Sequence, residues 1–302
     1  MSNILVVGSL GYDTISTPAG KQENILGGSA NYFSIVASMF APVNVVGVVG
    51  EDYKDSDLEI LTSRNVDVKG LKKEAGKTFH WEGRYQEDMN EAETLVTDLN
   101  VFQDFNPQIP EEYKSSKYLF LANIDPELQM QVLDQVENPK MVAMDTMNFW
   151  ISSKIDSLKK ALNRVDVLLI NEGEAKELTG EWNAISASKQ LVKMGPKAVV
   201  VKRGEYGFVL YSKGKFFIMP AFPIAEVVDP TGAGDTFAAG FFGHLAKVDG
   251  NLDFASLKQA CAFGTLMASF TVQGFGVSRL QELTWDDFEK RKSEYTEITG
   301  LK

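Results

Sequence analysis

Val228-Asp229-Pro230-Thr231-Gly232-Ala233-Gly234-Asp235-Thr236-Phe237, continuing Ala-Ala-Gly-Phe-Phe-Gly, is a glycine-rich turn that opens directly into an apolar helix. Turn glycines let backbone N–H groups converge, and a helix N-terminus adds a partial positive charge of ~0.5. Such a terminus is suited to an anion. Asp235 falls in the same first turn, so a carboxylate stands beside the place the anion would take. It can accept a proton from a hydroxyl while the N–H groups stabilise a transferring phosphoryl group. The plainer alternative is a helix cap, common work for Asp and Thr.

Outward from this turn, short apolar runs recur at 4–7, 43–49, 118–121, 141–144, 167–170 and 198–201. Most are apolar at successive positions, as in strands covered on both faces. Between them the spacing predicts helices over 30–40, 126–136, 152–162 and 184–194, with Pro126 at a first helical position. Strand and helix in alternation imply βαβ units and a mostly parallel sheet between helix layers. Two segments differ: 78–85 and 94–105 are half polar, rich in Thr, Tyr, Phe and Trp, and suit a pleated surface with one wet face. With residues 12–25 they would make either a small projecting sheet or an edge hairpin.

Of 302 residues, 41 are Asp or Glu against 30 Lys or Arg, a net charge of −11 that argues against binding nucleic acid through its phosphates. One cysteine, Cys261, in an apolar run, leaves no disulfide framework or thiolate zinc site. Two histidines make imidazole metal or triad chemistry improbable. The N-terminus reads as a first strand rather than a targeting segment, and no run approaches ~18 apolar residues. The cytoplasm is the default compartment, and no membrane is expected as a partner.

Asp229-Pro230-Thr231-Gly232-Ala233-Gly234-Asp235-Thr236-Phe237 resembles the C-terminal signature of the ribokinase-like, or PfkB-type, carbohydrate kinases. Leu26-Gly27-Gly28-Ser29-Ala30-Asn31 is similar to that family's Gly-Gly-x-x-x-Asn motif, and Asn171-Glu172-Gly173-Glu174 to its Asn-x-x-Glu motif. Lys202-Arg203-Gly204-Glu205-Tyr206-Gly207 resembles a Lys-x-Gly-x-x-Gly stretch near the nucleotide. Order and length agree too. The resemblance implies one domain over 1–302: a three-layer α/β/α fold with a mostly parallel central sheet, and a small β-sheet lid built from 12–25 and 78–105.

The same resemblance implies roles. Asp235 would be the base, and the amides of Gly232, Ala233, Gly234 and Asp235 an anion hole for the γ-phosphate of ATP. Asn171 and Glu174 would order waters on Mg²⁺, which usually keeps several. Lys202, Gly204, Gly207 and Thr231 would lie along the nucleotide. Asp13, Gly28 and Asn31 would grip a sugar. Apart from the resemblance, Asp145 and Asn148 end a buried strand, where α/β ligands gather, and are candidates for further contacts. A monovalent cation such as K⁺ would sit near Asp229 and the loop 274–276, although Leu280 stands where some members have Ser. Closing the lid would exclude water. An unpaired lid edge could join a second copy as a homodimer.

The leading expectation is an ATP- and Mg²⁺-dependent sugar kinase. The alternative is a nucleoside kinase, with Phe79, Trp81 and Tyr85 stacking on a base. A catalytically silent sugar or nucleotide binder is a third reading, opposed by the intact motifs. Gly76-Lys77-Thr78 imitates a P-loop, but the required earlier glycine position is Leu71.

Overall fold

The computed structural model describes residues 3–90 and 92–300. The chain starts with β1 (Ile4–Val7), sends out a hairpin of β2 (Gly11–Thr17) and β3 (Gly20–Gly27), and returns through α1 (Ser29–Ala37) to β4 (Val43–Val49). α2 (Asp55–Thr62) and β5 (Val66–Lys73) follow, then a second hairpin, β6 (Phe79–Tyr85) and β7 (Ala92–Asp98). The body resumes with β8 (Tyr118–Leu121), α3 (Pro126–Gln135), β9 (Met141–Met144), α4 (Asn148–Ser153) and α5 (Ile155–Leu162). Next come β10 (Val167–Asn171), α6 (Glu172–Thr179), α7 (Ala184–Lys193) and β11 (Ala198–Lys202), then the hairpin β12 (Phe208–Ser212) and β13 (Lys215–Met219). Four helices close the chain: α8 (Ala233–Lys247), α9 (Phe254–Thr271), α10 (Ser278–Glu282) and α11 (Trp285–Thr299).

The main sheet has nine strands in the order β13-β12-β11-β10-β9-β8-β1-β4-β5, parallel except where β12 runs against both neighbours. Its apolar runs are sorted by parity. Ile4, Val6, Tyr118, Phe120, Val167, Leu169, Ala198 and Val200 face one core, which holds α1, α8 and α9. Leu5, Val7, Leu119, Leu121, Leu168, Ile170, Val199 and Val201 face the other, under α3, α5, α6 and α7. A strand buried on both faces has to be apolar at every position. The expected three layers follow directly.

The second sheet has four strands, β3-β2-β6-β7, with β2 parallel to β6 and antiparallel hairpins on either side. Register places Asp13 opposite Trp81 and Gly11 opposite Phe79. Side chains alternate along a strand, so Asp13, Phe79 and Trp81 share one face. Two expectations need correction. The strand over 94–105 ends at Asp98; Asn100 turns at φ 51° and 100–104 form a 3₁₀ turn. Val101, Phe102 and Phe105 pack into the body's core, Phe102 also meeting Phe79 of β6, and those apolar residues imitated strand pattern. The helix over 152–162 is two, because Lys154 at φ −136°, ψ 40° breaks it.

Candidate active site

Helix α8 starts without a side-chain cap. Gly232 precedes it at φ 76°, ψ −2°, the third position of a type II turn that Ala233 N–H closes onto Pro230 O at 3.1 Å. The Ala233 amide is therefore committed inside the protein, which corrects its expected place in an anion hole. Among the described residues, the N–H groups of Gly232 and Gly234 have no hydrogen-bond partner. Asp235, half-buried in the first turn, has a carboxyl pushed up to about 7. Burial is the main cause and the charge of Asp145 adds to it, while Lys202 and the residue's own N–H pull down.

Lys202 ends β11 and reaches this turn: a Cβ on Gly234 would stand 3.0 Å from its Nζ. The ammonium bonds Asp145 Oδ2 at 2.8 Å, with both side chains largely buried. Burial alone would lower the Lys202 pKa, but Asp145, Glu174 and Asp235 together raise it, so it stays charged. Asp145 thus serves Lys202, and Asn148 is exposed, its Oδ1 accepting from Phe149 N–H at 2.9 Å. Asn171 and Glu174 form a capping box on α6: Glu174 N–H donates to Asn171 Oδ1 at 2.7 Å, and Asn171 N–H to Glu174 Oε2 at 3.0 Å. Burial, then Asp145, raises the Glu174 pKa. Gly204 (φ 55°) and Gly207 (φ 83°) shape the turn after Lys202. A Cβ on Gly207 would meet Met219 O at 1.9 Å, so glycine is required there.

The other wall comes from the four-stranded sheet. Asp13 on β2 is 4% exposed, and burial, Asp229 and Asp235 push its carboxyl up to about 8 while Gly28 N–H opposes them. Gly28 sits at φ 89°, ψ 139°, where a Cβ would stand 2.6 Å from Ser9 O. Tyr85, at the end of β6, accepts a hydrogen bond from Thr231 Oγ1 at 3.2 Å, so the smaller sheet meets the turn. Asp229 is fully buried and braces the turn: its oxygens accept from Thr231 N–H (2.8 Å) and Gly276 N–H (2.9 Å). Among the described residues, no cluster of three or more His, Cys, Asp or Glu could hold a metal. Glu174, whose Oε1 stays outside the capping box, is an oxygen donor of the kind that reaches a hard cation through the cation's own waters.

Residues 1–283 match the pfkB family of carbohydrate kinases. The chain belongs to that family. It is 34% identical over 254 residues to the cytidine kinase of Thermococcus kodakarensis, covering 82% of this chain and 90% of the relative. To the nucleoside kinase of Methanothermobacter thermautotrophicus it is 26% identical, covering 91% and 90%. An Arabidopsis thaliana ribokinase solved with ribose and ATP superposes with TM-score 0.75 at 23% identity, covering 96% and 98%. This pfkB-family protein is accordingly a phosphotransferase of ribokinase-like α/β fold. No helix among the described residues is long and apolar enough to cross a membrane.

One motif was misaligned. Gly-Gly-x-x-x-Asn spacing from Gly27 lands on Tyr32, not Asn31. One residue is about 100° around a helix, and the two side chains diverge accordingly. Asn31, fully buried, donates to Gly27 O at 2.6 Å and accepts from Tyr53 Oη at 3.1 Å. It fixes the Gly27-Gly28 turn instead of facing an acceptor. Tyr32 lies against Gly232, where an added Cβ would be 2.4 Å from its ring. Counting the spacing would have found it.

Proposed function

We propose that the protein transfers the γ-phosphate of ATP to a sugar hydroxyl, with Asp235 as general base. The observation that carries this is the α8 turn, where two unpartnered amides and Lys202 converge beside a half-buried carboxyl. A carboxylate poised near neutrality suits the task, since proton transfer is most effective when donor and acceptor affinities match. Asp235 takes the acceptor's proton, the freed oxygen attacks phosphorus in line, and ADP leaves. The N–H groups of Gly232 and Gly234, with Lys202, stabilise charge on the phosphoryl oxygens. Glu174, held by Asn171, keeps Oε1 free of the capping box and would hold Mg²⁺ through water. Bound Mg²⁺ would neutralise phosphate charge. Asp13 and the Gly28 backbone bind the acceptor, and the lid excludes water.

A second reading, in which the acceptor sugar belongs to a nucleoside, is favoured by the 34% identity to a cytidine kinase and by one register observation. Phe79 and Trp81 stand on the lid face that carries Asp13, a wall suited to a base. A coupled ADP-release screen with ATP, Mg²⁺ and pentoses, hexoses, sugar acids and nucleosides tests both. Release with nucleosides alone selects the second reading; none above background with any acceptor ends the proposal. A homodimer through the lid rests on the unpaired edges of β3 and β7, both largely exposed. A single-chain mass by light scattering would end that part. Asp229 gives both its oxygens to backbone amides, so a K⁺ there would draw mainly on carbonyl groups; unchanged activity across K⁺ and Na⁺ would remove it.

A further inference from the structure

The Tyr32 hydroxyl is an anomaly. It is buried, its residue 1% exposed, and among the described residues it has no hydrogen-bond partner. A buried hydroxyl left unpaired costs about 1–3 kcal/mol. Nothing in the packing demands that oxygen, because a phenylalanine would fill the same space against Gly232. The hydroxyl also lies among Asp13, Asp229 and Asp235, close enough for their charges to act on it. Burial, then those three charges, holds it protonated, hence able to donate. A donor that lacks a protein partner beside the acceptor-binding carboxyl has a ligand's geometry waiting for it.

We infer that Tyr32 is an acceptor-binding residue, its phenol donating to a hydroxyl of the sugar other than the one phosphorylated. Asp13 accepts a hydrogen bond from a neighbouring hydroxyl through its unprotonated carboxyl oxygen, so the pair reads a vicinal diol as one donor and one acceptor. This rests on the proposed phosphoryl transfer to a sugar hydroxyl. It departs from the motif, where a short amide stands at this position. A phenol reaches farther from its backbone and offers one rigid donor, so the acceptors preferred here differ from those of an asparagine.

The test is Tyr32→Phe, assayed with ribose, cytidine and adenosine and with their 2-deoxy and 3-deoxy counterparts. Expected are a Tm equal to or above wild type, an acceptor KM raised at least tenfold, and an unchanged KM for ATP. One deoxy acceptor should show the same rise with wild type and no further rise with Tyr32→Phe. A fall in Tm, or failure to fold, means the hydroxyl is bonded inside the protein and overturns the inference. An active Tyr32→Phe with unchanged acceptor KM overturns it too, leaving the proposed transfer standing. A wild type that phosphorylates none of these acceptors sinks both.

Discussion

Two helices start at the same end of the sheet, and their first turns are built on opposite plans. At α6 the Asn171–Glu174 box satisfies one amide from each side within the chain. At α8 no side chain caps the helix, and Gly232 and Gly234 leave their N–H groups open. A helix N-terminus without partners is unfavourable unless something else arrives. The α6 turn is therefore closed upon itself, while the α8 turn leaves two amides open, as the proposed phosphoryl transfer requires. Acidic residues occur in both first turns, so composition alone does not separate them.

Breaking the open turn should have the largest effect. Asp235→Asn is expected to lower kcat by roughly 10³ while nucleotide still binds, and wild-type activity should fall as pH drops below about 7, where Asp235 takes up a proton. Normal turnover by the variant would remove the base. Gly232→Ala comes next. Its left-handed φ adds about 1–2 kcal/mol for any other residue, and the new Cβ drives into Tyr32. A tenfold or larger loss of kcat/KM is expected; an unimpaired variant would show that the turn tolerates rebuilding.

Asp13→Asn probes the lid side through stability. The folded carboxyl titrates at about 8, against about 4 when unfolded, so the folded chain holds a proton that the unfolded chain has released. Stability from this group is present below about pH 4 and is lost as pH rises towards 8. The variant, neutral throughout, should gain Tm over wild type at pH 8 by roughly 5 °C more than at pH 5. A gain independent of pH would refute the shifted carboxyl. Least affected is Asn171→Ala: loss of the cap removes about 1 kcal/mol and raises the KM for ATP, leaving the acceptor KM alone. An equal rise in both would merge the two helix starts into one function.

The layered body was legible because its strands are covered twice, so each run is uniformly apolar. The α8 turn was legible because glycine spacing and Asp235 are local. Less could be read where meaning depends on partners far along the chain. Whether Ala233 N–H turns outward depends on Pro230, and Asp145 gains its role only when β9 and β11 bring it to Lys202. Asn31 and Tyr32 were exchanged through a count, and the helix rotation that separates them is invisible in a linear motif. Val101, Phe102 and Phe105 read as strand because burial in a 3₁₀ turn leaves a similar apolar trace.

The parallel pairing of β2 with β6 has a consequence for how the molecule comes together. Neither hairpin can complete the lid by itself, and the seam between them joins strands divided by α1, β4, α2 and β5. The fold of those intervening elements brings the two halves side by side, and the seam closes a long loop of chain. The smaller sheet is thus not a pair of independent hairpins: its central seam depends on the body that carries both halves.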